Sequence, residues 1–221
     1  MDPDDDRYAA LLELLATDAT APTAVRDPAQ ARDVHIADSL SALDLEPVAR
    51  ASAVADLGSG AGFPGLVLAV ALPNARVSLV EAGLRKCAFL ERAVTAMALR
   101  NTTVVHARAE AWAGGIGTHD LVTARAVDTL SVLCEYAAPL LADSGVLVAW
   151  KGARDAAEEA DGAAAAGELG LELVEVRPVT PYRGSRDRHL HLYLKVRPTP
   201  NRYPRRPGMA RKRPLTASTR G

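Results

Sequence analysis

One stretch constrains this chain more than any other: Asp56-Leu57-Gly58-Ser59-Gly60-Ala61-Gly62-Phe63-Pro64-Gly65. It follows a short apolar run, Ser52 to Leu57, and opens a second apolar stretch, Gly62 to Leu72, which stops at Pro73. That pattern predicts a strand, a glycine loop and a helix. Glycines let the chain turn tightly and let a ligand approach the backbone. A helix opening behind them adds free N–H groups and a partial positive charge. In open α/β sheets, ligands sit beyond the carboxyl ends of such strands.

The flanking sequence predicts the same class. Arg76 to Glu81 and Thr102 to His106 are strand-like, with a helical stretch, Leu84 to Leu99, between them. His119 to Ala124 and Gly145 to Trp150 read as strands around a helix over Thr129 to Leu141. Asp155 to Leu169 is an Ala/Glu-rich helix, and Leu171 to Val176 and His189 to Val196 are the last strands. Leu190, Leu192, Leu194 and Val196 alternate, as in a half-buried antiparallel strand. The repeating order predicts a mostly parallel sheet with helices on both faces. Upstream, Asp4 to Thr17 has helical spacing, Asp27-Pro28 starts a helix running to about Ala42, and a short helix covers Leu45 to Ala51. The expected organisation is a helical extension over 1–51, a sheet domain over 52–198 and a basic, extended tail over 199–221.

Several classes drop out. Two cysteines, Cys87 and Cys134, exclude a disulfide scaffold and a multi-cysteine zinc site. His106, His119, His189 and His191 lack a ligand grouping, so no metal is expected. The longest apolar run, Ala61 to Leu72, is 12 residues and contains Pro64, too short for a bilayer. The acidic start, Met1-Asp2-Pro3-Asp4-Asp5-Asp6, is unlike a secretory leader, so a cytoplasmic protein is expected. The net charge of −1 hides a segregation: residues 183–221 carry 12 Lys/Arg against one acid, Asp187. A local basic patch of this kind is what binds phosphates.

The loop admits two ligands. Gly60-x-Gly62-x-x-Gly65 fits a dinucleotide fingerprint, with Glu81 placed for a ribose. An NAD(P)-dependent oxidoreductase follows from that reading. Asp56, two residues before Gly58, instead suits S-adenosylmethionine, because an acid there faces a cationic methionyl end and would repel a pyrophosphate. The loop favours S-adenosylmethionine. A P-loop Lys/Thr is missing, which disfavours a nucleotide triphosphatase. A non-catalytic RNA-binding assembly factor is a third reading.

Further segments carry a resemblance. They are His35-Ile-Ala-Asp38-Ser39-Leu40, the loop, Leu79-Val80-Glu81, Arg85-Lys86 with Phe89-Leu90, and Ala107-Arg108-Ala109-Glu110. Val122-Thr123-Ala124-Arg125-Ala126-Val127, Lys151-Gly152 and Tyr203-Pro204-Arg205 follow in order. Together they resemble the bacterial small-subunit ribosomal RNA guanine-N7 methyltransferases, methyltransferase G, also called glucose-inhibited division protein B. The likeness covers about His35 to Leu215. Arg85-Lys86 stands where Lys-Lys is common, and Gly208-Met209-Ala210-Arg211-Lys212 follows the usual tail loosely. The resemblance implies a class I S-adenosylmethionine-dependent methyltransferase sheet, Rossmann-like, that modifies N7 of a guanine in a loop of 16S ribosomal RNA. It implies cofactor contacts at Gly58 and Phe63, Ala109 and Glu110 beside the adenine, Arg125 lining the site and Glu81 on the ribose. Asp56 and Gly60 join them from the loop.

The chemistry sets its own demands. Methyl transfer from a sulfonium is an in-line displacement, so alignment dominates. Guanine N7 is a neutral acceptor, so no general base and no catalytic side chain are expected. Both cysteines fall inside predicted helices and read as packing residues, not pyrimidine-C5 nucleophiles. Arg125, at a strand's carboxyl end, is costly to bury unpaired and is expected to face the cleft and contact cofactor or RNA, with a structural salt bridge as the alternative. Lys151 ends the next strand and is a candidate for RNA. His35 and Asp38 either wall the site or pin a helix to the domain. Trp112 either covers the adenine or packs. The basic C-terminal stretch reads either as a nonspecific solubilising tail or, the favoured reading, as an RNA clamp of Arg183, Arg186, Arg188, Arg202, Arg205, Arg206, Arg211, Lys212 and Arg213, with Tyr182 and Tyr203 interleaved for stacking. The partner is 16S ribosomal RNA or the small subunit, and the protein is expected to be a monomer.

Overall fold

Residues 5–217 are described by the structure, a computed structural model. The expected helix start at Asp4, the acidic Met1-to-Asp4 stretch and the last basic residue, Arg220, lie outside them. Among the described residues seven strands form one sheet: β1 (Ala53–Leu57), β2 (Arg76–Glu81), β3 (Thr102–His106), β4 (His119–Arg125), β5 (Leu141–Lys151), β6 (Leu171–Val179) and β7 (Arg188–Lys195). Their order is β3-β2-β1-β4-β5-β7-β6. Strands β1 to β5 are parallel, and β7 runs antiparallel to both β5 and β6. The chain leaves β1 toward β2 on one side and comes back to β4 on the other. A crevice therefore opens at the carboxyl ends of β1 and β4.

The helices are α1 (Asp6–Thr17), α2 (Pro28–Ala31), α3 (Asp38–Leu40), α4 (Glu46–Ala49), α5 (Gly65–Ala71), α6 (Leu84–Ala96), α7 (Leu130–Ala137), α8 (Ala156–Leu169) and α9 (Met209–Lys212). Strand residues point alternately to two faces. Val54, Val77, Leu79 and Val148 meet α1, α5 and α6 in one core. Ala55, Leu57, Val80 and Val122 meet α7 and α8 in the other. Tyr8, Leu11 and Leu15 of α1 are buried in the first core, so the N-terminal helices share it with the sheet. No helix among the described residues is long and apolar enough to cross a membrane.

Three expectations are corrected. The helix from Asp27 to Ala42 is not continuous: a π-helical turn, Arg32–Ala37, separates α2 from α3, and a 3-10 turn follows. Single wide turns of this kind gather at functional positions, and this one carries His35. Strand β7 is not half-buried. It lies between β5 and β6, so His191 and Tyr193 are covered as well as Leu190 and Leu192. The tail is not extended. Tyr203 and Ala210 are buried in the second core. Arg202 pairs with Glu168, Arg205 with Glu135 and Arg211 with Asp128. Acids on α7, α8 and the turn after β4 neutralise a segment whose counter-charge the sequence alone had pointed at RNA.

Asp120 ties β4 to the start of β1. Its carboxylate accepts from Ser52 N at 2.9 Å and Ala53 N at 3.0 Å. Asp120→Ala is expected to cost about 1–2 kcal/mol, since bonds to a charged acceptor are worth more than neutral ones and this one is partly solvated. Urea unfolding should show a lower midpoint with an unchanged slope. An unmoved midpoint would show that water replaces the carboxylate without loss.

Candidate active site

Asp56 lies opposite Thr123 in the β1–β4 register, and Thr123 Oγ1 donates to its Oδ1 at 2.8 Å. Burial pushes this carboxyl up to about 6. Gly65 packs directly on it: a Cβ there would sit 2.9 Å from Asp56 Cβ and 2.3 Å from Leu79 Cδ2. Helix α5 can approach the strands this closely only with glycine. Asp56 therefore supports the loop from beneath and does not line the cavities above it, unlike the expectation that it faces the ligand. Gly58 does face them. Its N–H donates to Val80 O at 2.8 Å, its φ is +62°, and a Cβ would meet Val127 Cγ2 at 2.8 Å.

Three adjoining cavities run along the carboxyl ends of the strands. The first, about 320 Å³, is walled by Gly58, Glu81, Ala109, Glu110, Tyr136 and Arg211, among others. The second, about 230 Å³, includes His35, Gly58, Gly60, Phe63, Lys86 and Arg125. The third, about 170 Å³, includes Asp38, Arg125, Trp150, Lys151, Arg188 and His189. Ala126 lines all three and holds a φ of +56°. A side chain rarely adopts that conformation unless its surroundings impose it.

Glu81 is held in place in the first cavity. Its Oε1 accepts from Gly83 N at 2.8 Å and its Oε2 from Gly60 N at 3.1 Å, with Lys86 Nζ 3.8 Å away. One residue thus fixes the loop and presents an acid beside it. Lys86 lines the first and second cavities, a position its sequence context does not signal. Tyr136, mid-helix on α7, carries no signal either.

Arg125 joins the second and third cavities. Its Nη1 donates to Asp38 Oδ2 at 2.8 Å and Val34 O at 3.1 Å, and its Nη2 donates to His35 Nδ1 at 3.1 Å. A guanidinium only donates, so His35 Nδ1 accepts and Nε2–H donates to Thr23 Oγ1, 3.1 Å away. Burial, with the Arg125 charge beside it, pulls His35 down to about 4. The neutral ring stacks on Phe63 at 4.4 Å, and the guanidinium lies 5.3 Å from the same ring. Trp150 Nε1 donates to Asp38 O at 2.9 Å. His35 and Asp38 therefore both pin the helices and wall the site.

The residues assigned to RNA divide. Lys151 lines the third cavity while bonded to Glu158 at 2.6 Å. Arg186 is exposed on the turn between β6 and β7, and Lys212 is exposed on α9. Tyr203 and Arg205 turn inward, onto Glu168 and Glu135. Trp112 does not line the first cavity and packs 5.0 Å from His119. Cys87 and Cys134 are buried in α6 and α7.

Two buried titrations here oppose each other. His35, near 6.5 when unfolded and about 4 folded, contributes stability that is present above pH 6.5 and lost as pH falls toward 4. Asp56, near 3.8 unfolded and about 6 folded, contributes stability present below pH 3.8 and lost as pH rises through 6. Urea midpoints between pH 4 and 6.5 should rise more steeply in Asp56→Asn and less steeply in His35→Gln. Parallel profiles in all three proteins would refute the assignment.

Comparison with known proteins places this geometry. The family described as rRNA small subunit methyltransferase G matches residues 6–189. A ribosomal RNA small subunit methyltransferase G from Rubrobacter xylanophilus is 41% identical over 196 residues, covering 86% of this chain and 75% of the relative. One from Roseiflexus sp. is 40% identical over 213 residues, covering 95% and 89%. Among solved structures, cofactor-bound Rv0187 from MTB superposes with a TM-score of 0.61 at 23% identity, over 89% of this chain and 92% of that one. The oxidoreductase and assembly-factor readings draw no support from these matches. The chain belongs to the rRNA small subunit methyltransferase G family.

Proposed function

We propose that the chain transfers a methyl group from S-adenosylmethionine to N7 of a guanine in a loop of 16S ribosomal RNA. The observation that carries this reading is the meeting of three cavities at Ala126, above the glycine loop of a small-subunit rRNA methyltransferase. When bound, S-adenosylmethionine supplies an electrophilic methyl group on a sulfonium. The chain fits that group: two acids line the larger cavity, and Gly58 leaves the backbone bare where a Cβ would strike Val127. Glu81, oriented by two backbone N–H groups, takes the ribose hydroxyls. Ala109 and Glu110 stand at the adenine end. Gly58, Gly60 and Phe63 enclose the methionyl end, and Arg125 closes it against the third cavity.

The third cavity takes the guanine, turned out of its stack so that N7 can be approached in line. N7 offers a lone pair and has no proton to lose before attack. His35, in the second cavity, has both nitrogens bonded and is held neutral, so it serves to align the site and not to take a proton. Lys151, Arg186, Arg188 and Lys212 border the cavity or stand exposed, and meet RNA phosphates. A monomer acting in the cytoplasm on naked RNA or the assembled subunit completes the proposal.

Tritium transfer from labelled cofactor to ribosomal RNA of a strain lacking the gene tests it. The digest should contain N7-methylguanosine, and label in any other nucleoside would overturn the N7 reading. Gly58→Asp and Arg125→Ala should each lower kcat/KM by about 100-fold or more, the scale of losing a positioned group in an active site. RNA affinity should fall linearly with the logarithm of salt concentration, with Arg186→Ala reducing that slope by about 1.

A further inference from the structure

The C-terminal segment lies against the cofactor cavity. Gly208 N donates to Glu110 Oε1 at 2.9 Å, from a glycine whose φ is +83°. Three residues on, Arg211 lines the same cavity with Tyr136. Its guanidinium pairs with Asp128 and donates to Val127 O at 3.1 Å, one residue past Ala126. The segment thus bridges the turn after β3 and the turn after β4. It is anchored from both sides. Tyr203 and Ala210 are buried in the core over α7 and α8. Arg205 pairs with Glu135, whose side chain is 1% exposed, and also donates to Arg213 O at 2.9 Å. A carboxylate buried that deeply is costly without its partner, so the pair holds the segment down.

We infer that Tyr203, Arg205, Gly208 and Arg211 are a working part of the cofactor site, not RNA contacts: Gly208 orients the Glu110 carboxylate, Arg211 closes the adenosine end, and Tyr203 and Arg205 hold both in place. Fixing one oxygen of Glu110 fixes the plane of its carboxylate, and a positioned acceptor binds better than a mobile one. Arg205 acts through Glu135 and Gly208 and is a positioning residue. The inference rests on the proposed cofactor, and its test separates the two.

The test is calorimetric titration of S-adenosylhomocysteine into the full-length protein with RNA absent. Arg205→Ala and Arg211→Ala should each weaken binding by about 5–20-fold, the scale of one or two lost hydrogen bonds. Where Arg205→Ala fails to fold, Arg211→Ala carries the test, because that side chain is half-exposed. Unchanged affinity in the folded variants, with weakened RNA binding, overturns the inference and gives these residues to RNA. No binding by the unaltered protein overturns the cofactor reading, and this inference with it.

Discussion

A guanidinium at the mouth of a largely buried crevice is tolerated only if its donors are met. Arg125 ends β4, at the point where the strand order reverses, and its partners all come from outside the sheet: Asp38, His35 and the Val34 carbonyl. This one requirement explains why the N-terminal helices belong to the functional unit. They bury Tyr8 and Leu11 in the first core, where Tyr8 Oη donates to Val67 O of α5, which gives adhesion without position. The bonds to Arg125 supply position. The π-helical turn then has a role, because it carries both Val34 and His35 to the guanidinium. Burial, and then the Arg125 charge, keep His35 neutral, and its ring lies flat on Phe63 in the loop.

The basic tail follows the same logic with the signs reversed. Glu135, Asp128 and Glu168 are acids on or beside helices that cover the second face of the sheet. Left alone, Glu135 would be an unpaired buried charge. The tail supplies the cations, and Tyr203 and Ala210 supply apolar area. Exposed cations remain on the turn after β6 and on α9. The electrostatic face offered to a polyanion is therefore smaller than the run of arginines suggests, and it borders the third cavity.

The parts of the site legible in the sequence are those whose chemistry is local. A strand followed by closely spaced glycines has few uses, so the loop and the place of Glu81 could be read directly. Arg125 was legible because a charge at a strand end must face a cleft or a partner, and here it does both. Distance along the chain puts Asp56 beside the loop, but it does not show that the side chain turns under it, bonded to Thr123. The partners of Tyr203 and Arg205, Glu168 and Glu135, are invisible in a charge summed along the chain, because ion pairs form across it. Strand β7 and its antiparallel direction were legible from the alternation, but its burial on both faces was not, because insertion between β5 and β6 is a long-range property. Tyr136 and Lys86 carry no local signal at all.

Ala126 shows why these separate requirements converge. It follows Arg125 directly, so the bonds that hold Arg125 also restrict the backbone of the next residue. It precedes Val127, which fills the space a side chain at Gly58 would take. The left-handed turn at Ala126 is thus fixed from both sides, by an ion-paired neighbour and by packing under the loop. Unfavourable backbone geometry survives only where neighbours over-determine it. Here the result is one small residue common to all three cavities, with the loop on one side and the third cavity on the other. On the proposed reading, any larger side chain at that junction would fill the space between methyl donor and acceptor.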